Sequence, residues 1–254
     1  MFGFTPLLVT LLSVASPIEK TILWNSGSWP YAQRAWITLL EKEVDFEHKI
    51  IDLSNKPPAF LDKYALAVGN TETRAKVPLL EYEGKIVVES DVVCKFVAQE
   101  IGSDDSMYPK NDEEARGRVD QFLKAFETAN QGYYSFLSAS NEDEVVKGRD
   151  AFCQSLQGLN DALGDGRPFL LGDTFSIAES MTAPWVHRFQ VAIPYFRGVE
   201  LEDLDVPENI SRWMKAVFDR PSVQSTSCSN EKLLKSTAGY FVNYITPGAP
   251  GDKK

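Results

Sequence analysis

The chain has 254 residues, 43% of them hydrophobic and 24% charged, enough to bury one large core or two smaller ones and unlike a disordered chain. With 36 acidic against 26 basic residues its formal charge is −10, which repels phosphate backbones and argues against a nucleic-acid partner. Three scattered cysteines (Cys94, Cys153, Cys228) and two histidines (His48, His187) lack zinc-ligand spacing, so neither a metal site nor a disulfide-stapled domain is expected.

Residues 1–19 read as an N-terminal arm. Phe2 to Ala15 is apolar, but no Lys or Arg precedes it, which argues against a secretory signal. Val14-Ala15-Ser16 keeps a cleavage site, and with it the secretory pathway, as the alternative. Pro6 and Pro17 break this longest uncharged run, so stable membrane insertion is not expected. The odd cysteine count favours a reducing compartment, and the expected location is cytoplasmic.

Thr21 to Trp24 predicts a buried strand, and Asn25 to Ser28 a turn. Pro30 suits the first turn of a helix that continues through Ala32, Ala35, Trp36, Leu39 and Leu40 to about Glu43. Phe46 to Ile51 reads as a second strand. A loop opens at Pro57-Pro58, and Phe60 to Ala67 holds a helical turn or two. Leu79–Tyr82 and Lys85–Val88 form a hairpin around Glu83-Gly84, and Asp91 to Ile101 a helix. This β-α-β-loop-β-β-α order makes residues 20–102 a small α/β unit with a mixed sheet.

Residues 103–110 are polar and aperiodic, and read as a linker. Beyond them the strand signals fade. Helices are predicted over 111–139, 143–163, 175–190 and 208–218, with Gly164 to Pro168 as a breaker, so 111–226 is an all-α unit. Residues 227–254 form a polar tail in which Pro247 to Gly251 is read as disordered.

The chemistry gathers at the ends of the α/β elements. The strand–turn–helix at Trp24 to Ile37 leaves free N–H groups and a positive dipole end at residues 29–32, which favours an anion such as a thiolate. The hydroxyls of Ser26 and Ser28 can donate to that anion, or serve only as turn and capping groups. A cis Val77-Pro78 bond would present the Val77 backbone to a ligand. Ser90 can cap its helix or, with that helix N-terminus, hold a carboxylate.

An α/β unit with Val-Pro, Glu-Ser entering a helix, and an all-α second unit resembles the soluble glutathione transferases. SWPYAQRAWI at Ser28 to Ile37 is similar to their omega and, still more, plant lambda groups. So are Asn55-Lys56-Pro57, Gly84-Lys85-Ile86 and the stretch from Arg167 to Gln190. The resemblance spans roughly residues 20–220. It implies a thioredoxin-like N-terminal domain, an all-α C-terminal domain, and glutathione as co-substrate. It implies that Lys56 meets the glycine carboxylate, Val77 before Pro78 pairs with the cysteinyl backbone, Ser90 holds the γ-glutamyl carboxylate and Glu89 lies near its amine.

Two departures stand out. Trp29 occupies the position where omega and lambda members carry cysteine, so thiol transfer through a mixed disulfide is not expected. Cys94 lies mid-helix on an apolar stretch and reads as a core residue. The segment from Ala67 to Lys76 also looks longer than in the family. What stays open is activation of glutathione's own thiol, of which only about 3% is ionised at pH 7 at a pKa of about 8.5. Ser28 is the first candidate donor and Ser26 the second, with Trp29 at the edge of the glutathione site. Tyr31 is expected to pack.

The expected function is therefore a transferase joining glutathione to, or removing it from, a hydrophobic electrophilic small molecule, as monomer or homodimer. The alternatives are a non-catalytic carrier of glutathione or hydrophobic ligands, and a thiol-transferase relative that has lost its Cys.

Overall fold

The computed structural model describes residues 20–27, 29–165 and 168–252. The expectations for residues 1–19, for Ser28 and for Gly166-Arg167 lie outside the described residues.

The first unit is β1 (Ile22–Asn25), α1 (Pro30–Glu41), β2 (Glu47–Ile50), α2 (Pro58–Val68), β3 (Leu79–Tyr82), β4 (Lys85–Val88) and α3 (Ser90–Glu100). The sheet order is β2-β1-β3-β4. β1 pairs parallel with β2 (Leu23 opposite His48) and antiparallel with β3 (Leu23 opposite Leu80). The β3–β4 turn takes both central residues into the left-handed region, Glu83 at φ 46° and Gly84 at φ 73°, as a two-residue hairpin of right-twisted strands requires.

Strand alternation sends neighbours to opposite faces. Leu23 and Leu80 pack with Ala35, Leu39, Val93 and Val97 under α1 and α3. Trp24 and Leu79 pack with Phe60 and Tyr64 under α2. The helical turn or two expected over 60–67 is thus a full three-turn helix. Pro58 starts it, Phe60 and Tyr64 one turn apart anchor it, and Gly69 ends it in a left-handed cap at φ 67°. The surrounding loop prolines had obscured that periodicity.

The second unit comprises α4 (Glu113–Ser138), α5 (Glu142–Leu163), α6 (Ile177–Arg197), α7 (Glu208–Phe218), α8 (Pro221–Thr226) and α9 (Asn230–Phe241). α4 and α5 touch backbone to backbone. A β-carbon on Gly148 would stand 2.6 Å from Phe136 Cα, and one on Gly132 would stand 2.9 Å from Phe152 Cα. α6 runs through the middle of the core. Its N-terminus closes with a Ser176/Glu179 capping box, and the buried Glu179 carboxylate also accepts from Leu170 N and Trp213 Nε1. The helix continues past the expected end at Gln190 through Pro194 to Gly198 at φ 69°, because packing on all sides outweighs the one hydrogen bond a proline removes.

The tail departs most from expectation. Leu233 and Thr237, one turn apart, bury the inner face of α9. The Arg197 guanidinium donates to Tyr244 O at 2.6 Å and to Phe136 O and Leu137 O at the end of α4. Thr246 N donates to Phe196 O, and Pro250–Asp252 forms a 3-10 turn. The expected disorder of 247–251 is corrected: Ala249 is 1% exposed, and Gly251 lies against Tyr195 where a β-carbon would not fit. Its polar composition hid this packing because the partners, the Arg197 guanidinium, the Phe196 carbonyl and the Tyr195 ring, belong to a distant helix.

The two units meet along α1. Gln33 Nε2 donates to Thr226 Oγ1 at 3.2 Å, and Arg220 forks onto Glu41, with 2.7 Å between Nη2 and Oε2. Among the described residues no helix is long and apolar enough to cross a membrane.

Candidate functional site

The site lies at one end of the sheet, where β1 runs into α1 and β4 into α3. At the first junction Asn25 is fully buried. Its Oδ1 accepts from Ser26 N at 2.6 Å, and its Nδ2 lies 3.1 Å from His48 Nε2. These contacts fix the backbone that enters the turn. Trp29 N closes it onto Ser26 O at 3.3 Å. Trp29 takes the N-cap place of α1 but offers no side-chain acceptor, so the first N–H groups of α1 keep no cap from that residue. Ser26 is half-buried in this turn.

The half-buried Trp29 ring packs on the cluster that holds Phe60, Tyr64 and Val77, and meets Tyr240 of α9 edge-on, with centroids 5.9 Å apart. The Val77-Pro78 bond is cis. Val77 is buried, and among the described residues nothing occupies its N–H or C=O.

At the second junction Glu89 sits at φ 67°, an uncommon conformation for a residue with a side chain, found most often at turns and functional sites. Tyr64 Oη donates to Glu89 Oε1 at 3.1 Å, and Lys76 Nζ lies 3.9 Å from the same oxygen. Burial and the Glu89 charge push the Tyr64 phenol up to about 12, so it stays a donor. Ser90, the first residue of α3, is 7% exposed. Its hydroxyl accepts from Arg34 Nη1 at 3.3 Å, which leaves its own proton for a ligand. Arg34 in turn donates Nε to Met181 O at 2.7 Å and lies over the rings of Tyr31 and Trp185. Burial lowers its pKa, yet a guanidinium stays charged at any physiological pH.

The fold therefore groups Trp29 with Val77 through their shared cluster, and Glu89 with that cluster through Tyr64. Ser90 adjoins them. Lys56 stands apart: it is half-buried in the loop before α2, with no ion pair or hydrogen bond to the others. Arg34 was missed in the sequence as a site residue, although the run Pro30-Tyr31-Ala32-Gln33-Arg34 contains it. Only the tertiary structure brings it to Ser90. Tyr31 packs, as expected, edge-on against Trp185 at 5.2 Å.

Beside Trp29 lies a cavity of about 50 Å³ whose walls include Tyr31, Tyr133 and Tyr134, the buried Arg188, and Tyr240 and Phe241 of α9. It is small because the α9 aromatics close it, Phe241 lying 4.7 Å from Tyr134 between ring centres. Cys94 offers no replacement for a site thiol. It is fully buried, accepts from Thr38 Oγ1 at 3.3 Å, and burial pushes its thiol up to about 11. Among the described residues no group of three or more His, Cys, Asp or Glu side chains could hold a metal ion.

The sequence pattern of the glutathione S-transferase N-terminal domain matches residues 30–100, and that of the C-terminal domain matches residues 112–216. Glutathione S-transferase L3 of Arabidopsis thaliana is 30% identical over 220 residues, 85% of each chain. The chain belongs to the glutathione S-transferase family. "Probable glutathione S-transferase DHAR1, cytosolic" of Oryza sativa subsp. japonica is 28% identical over 84% of this chain and 90% of that protein. A crystal structure of glutathione transferase Omega 3C from Trametes versicolor is 25% identical, with a TM-score of 0.70 over 83% of this chain and 90% of the other. A glutathione transferase fold, with its thioredoxin-like first unit and helical second unit, thus accounts for both junctions described above.

Proposed function

We propose that this glutathione transferase, of lambda/omega-like kind, binds glutathione across the two junctions and readies its thiol for attack on, or removal from, an electrophilic small molecule. The observation that carries the reading is Ser90. It combines a buried hydroxyl, a helix N-terminus and the Arg34 charge behind it, a set of donors suited to the γ-glutamyl carboxylate. Glu89 faces the amine, the Val77 N–H and C=O meet the cysteinyl unit beside Pro78, and Lys56 reaches the glycine carboxylate as a point charge. Residues 20–102 supply this pocket, and the all-α unit supplies the electrophile's side.

The sulfur then falls at the turn from Ser26 to Trp29, against the uncapped N-terminus of α1. Ser28 or Ser26 donates a hydroxyl to it. The three cysteines are free, which suits the reducing cytoplasm.

A second reading, a non-catalytic carrier, is favoured by one observation: Trp29 and Tyr240 meet across the cavity, leaving about 50 Å³. Calorimetry with glutathione, run beside a conjugation assay with a generic aryl halide, separates the two. Binding with turnover supports the transferase, and binding without turnover supports the carrier. No binding at millimolar glutathione sinks both.

A further inference from the structure

Lys232 brings a further cation to the first junction. A β-carbon built on Gly27, in the middle of the Ser26–Trp29 turn, would stand 3.7 Å from Lys232 Nζ. Lys232 belongs to the first turn of α9, more than two hundred residues away in sequence. Among the described residues its ammonium makes no ion pair and no hydrogen bond.

Its place is set by the helix that carries it. Ser229 caps α9 by accepting from Lys232 N, and His187 of α6 hydrogen-bonds Asn230 Oδ1 at 3.1 Å. Leu233, the next residue, is fully buried, and Tyr240 two turns on rests against Trp29. The backbone under Lys232 is therefore docked on α6, and the same helix reaches the turn through the Tyr240 ring against Trp29.

We propose that the ammonium of Lys232, carried to the Ser26–Trp29 turn by α9, holds the thiolate of bound glutathione. The proposal rests on the glutathione-transferase reading above and assigns that site a residue from the C-terminal segment. The physical need for it is clear. A chain of net charge −10 repels a thiolate, and a local cation opposes that field. A helix N-terminus carries only about half a charge, whereas an ammonium carries a whole one and acts over a longer reach than a hydroxyl. Ionisation releases the thiol proton to water. The thiolate then forms the sulfur–carbon bond while the electrophile's leaving group departs with its bonding pair. The other titratable groups placed near the turn are His48 of β2, against Asn25, and Tyr31 of α1, Tyr133 and Tyr134 of α4, Arg188 of α6 and Tyr240 of α9, which line the cavity beside Trp29.

The test reads the thiol itself and needs no electrophile. Full-length protein is saturated with glutathione, as confirmed by calorimetry, and thiolate absorbance is followed from about pH 5.5 to about pH 9.5. In the wild type the bound thiol should ionise well below the free thiol. Lys232→Ala and Lys232→Gln should raise its pKa by about one unit, so that about tenfold less thiolate is present at neutral pH, while Lys232→Arg keeps it low. Glutathione affinity measured at low pH, where the thiol is protonated, should stay within about twofold. An unchanged titration in Lys232→Ala overturns the proposal. So does a wild-type thiol that titrates like free glutathione. A wild type that does not bind glutathione at all overturns instead the functional reading on which the proposal stands. A merely structural role for Lys232 would alter affinity or melting temperature and leave the thiol titration in place, which also counts against it.

Discussion

The two helix N-termini at the end of the sheet are built in opposite ways. At α3 the first residue is a small hydroxyl, buried and held by a guanidinium from α1. The residue before it adopts a positive φ, and its carboxylate is held by Tyr64. At α1 the corresponding place belongs to Trp29, which like Glu89 makes no side-chain cap to its helix, but which is apolar and packed against an aromatic residue of α9. The lesson is that one fold can specialise its helix ends separately. The α3 end is made from parts of the α/β unit with Arg34 as their support. The α1 end is finished by the other unit, through α9. On the proposed reading, recognition of glutathione's carboxylate and activation of its sulfur can therefore change independently.

The largest effect should come from breaking the α3 end. Arg34→Met removes charge-assisted hydrogen bonds to Ser90 and Met181 at once, each worth about 1.5–3 kcal/mol. Glutathione affinity should fall at least about a hundredfold, and the melting temperature should fall with it, because Arg34 also joins the two units. Ser90→Ala removes the ligand donor alone. Affinity should fall about ten- to a hundredfold by calorimetry with the melting temperature nearly constant. Wild-type affinity in both variants would mean that the α3 end is only a capped helix.

Changing the α1 end should alter the reaction and leave affinity nearly alone. Trp29→Cys places a sulfur at the N-terminus of α1, where a thiolate is favoured. The variant should gain disulfide exchange with a glutathionylated substrate, an activity the wild type should lack. A Cys228→Ser version serves as control, since Cys228 precedes α9 and is the nearest cysteine in sequence to Lys232. Exchange activity in the wild type that vanishes in Cys228→Ser would show that the thiol has moved to α9 and has not been lost. Within the same turn, Ser28→Ala or Ser26→Ala should slow conjugation about tenfold near neutral pH, with partial rescue at higher pH.

The smallest effect separates the two ends by pH. Burial lowers the pKa of His187, whose ring anchors α9 through Asn230. A base whose folded-state pKa is depressed stabilises the fold above its unfolded value of about 6.5, and that contribution is lost as pH falls through the folded value. Urea midpoints should therefore decline below about pH 6.5, and less so in His187→Gln. His48 is lowered in the same direction and should account for part of the slope that remains. Identical slopes in wild type and variant would remove His187 from the account.

Local signals carried much of the fold. Glu83-Gly84 placed the hairpin turn, and the apolar spacing from Ala32 to Leu39 placed α1, because both obey short-range rules. The packing of α9 did not show, since only Leu233 and Thr237 of that helix are fully inward and the rest of the tail is held by ring contacts of Tyr240 and Phe241 and by bonds of Tyr244 O to Arg197 and of Thr246 N to Phe196 O. The site was legible in the same divided way. Ser90, Val77 and Glu89 follow one another in a recognisable order along the chain. Arg34 and Lys232 reach their junctions only through tertiary packing, which no spacing rule encodes.

The wall that α9 contributes has a consequence for how the protein comes into being. Asn25, Val77 and Ser90 leave the ribosome early, while Tyr240 and Phe241 lie within the last fifteen residues. During synthesis, which releases the N-terminal part first, the residues proposed to hold glutathione emerge long before the aromatic wall of α9. On the proposed reading, a nascent chain would thus carry the glutathione-holding residues before the wall that encloses the cavity beside Trp29.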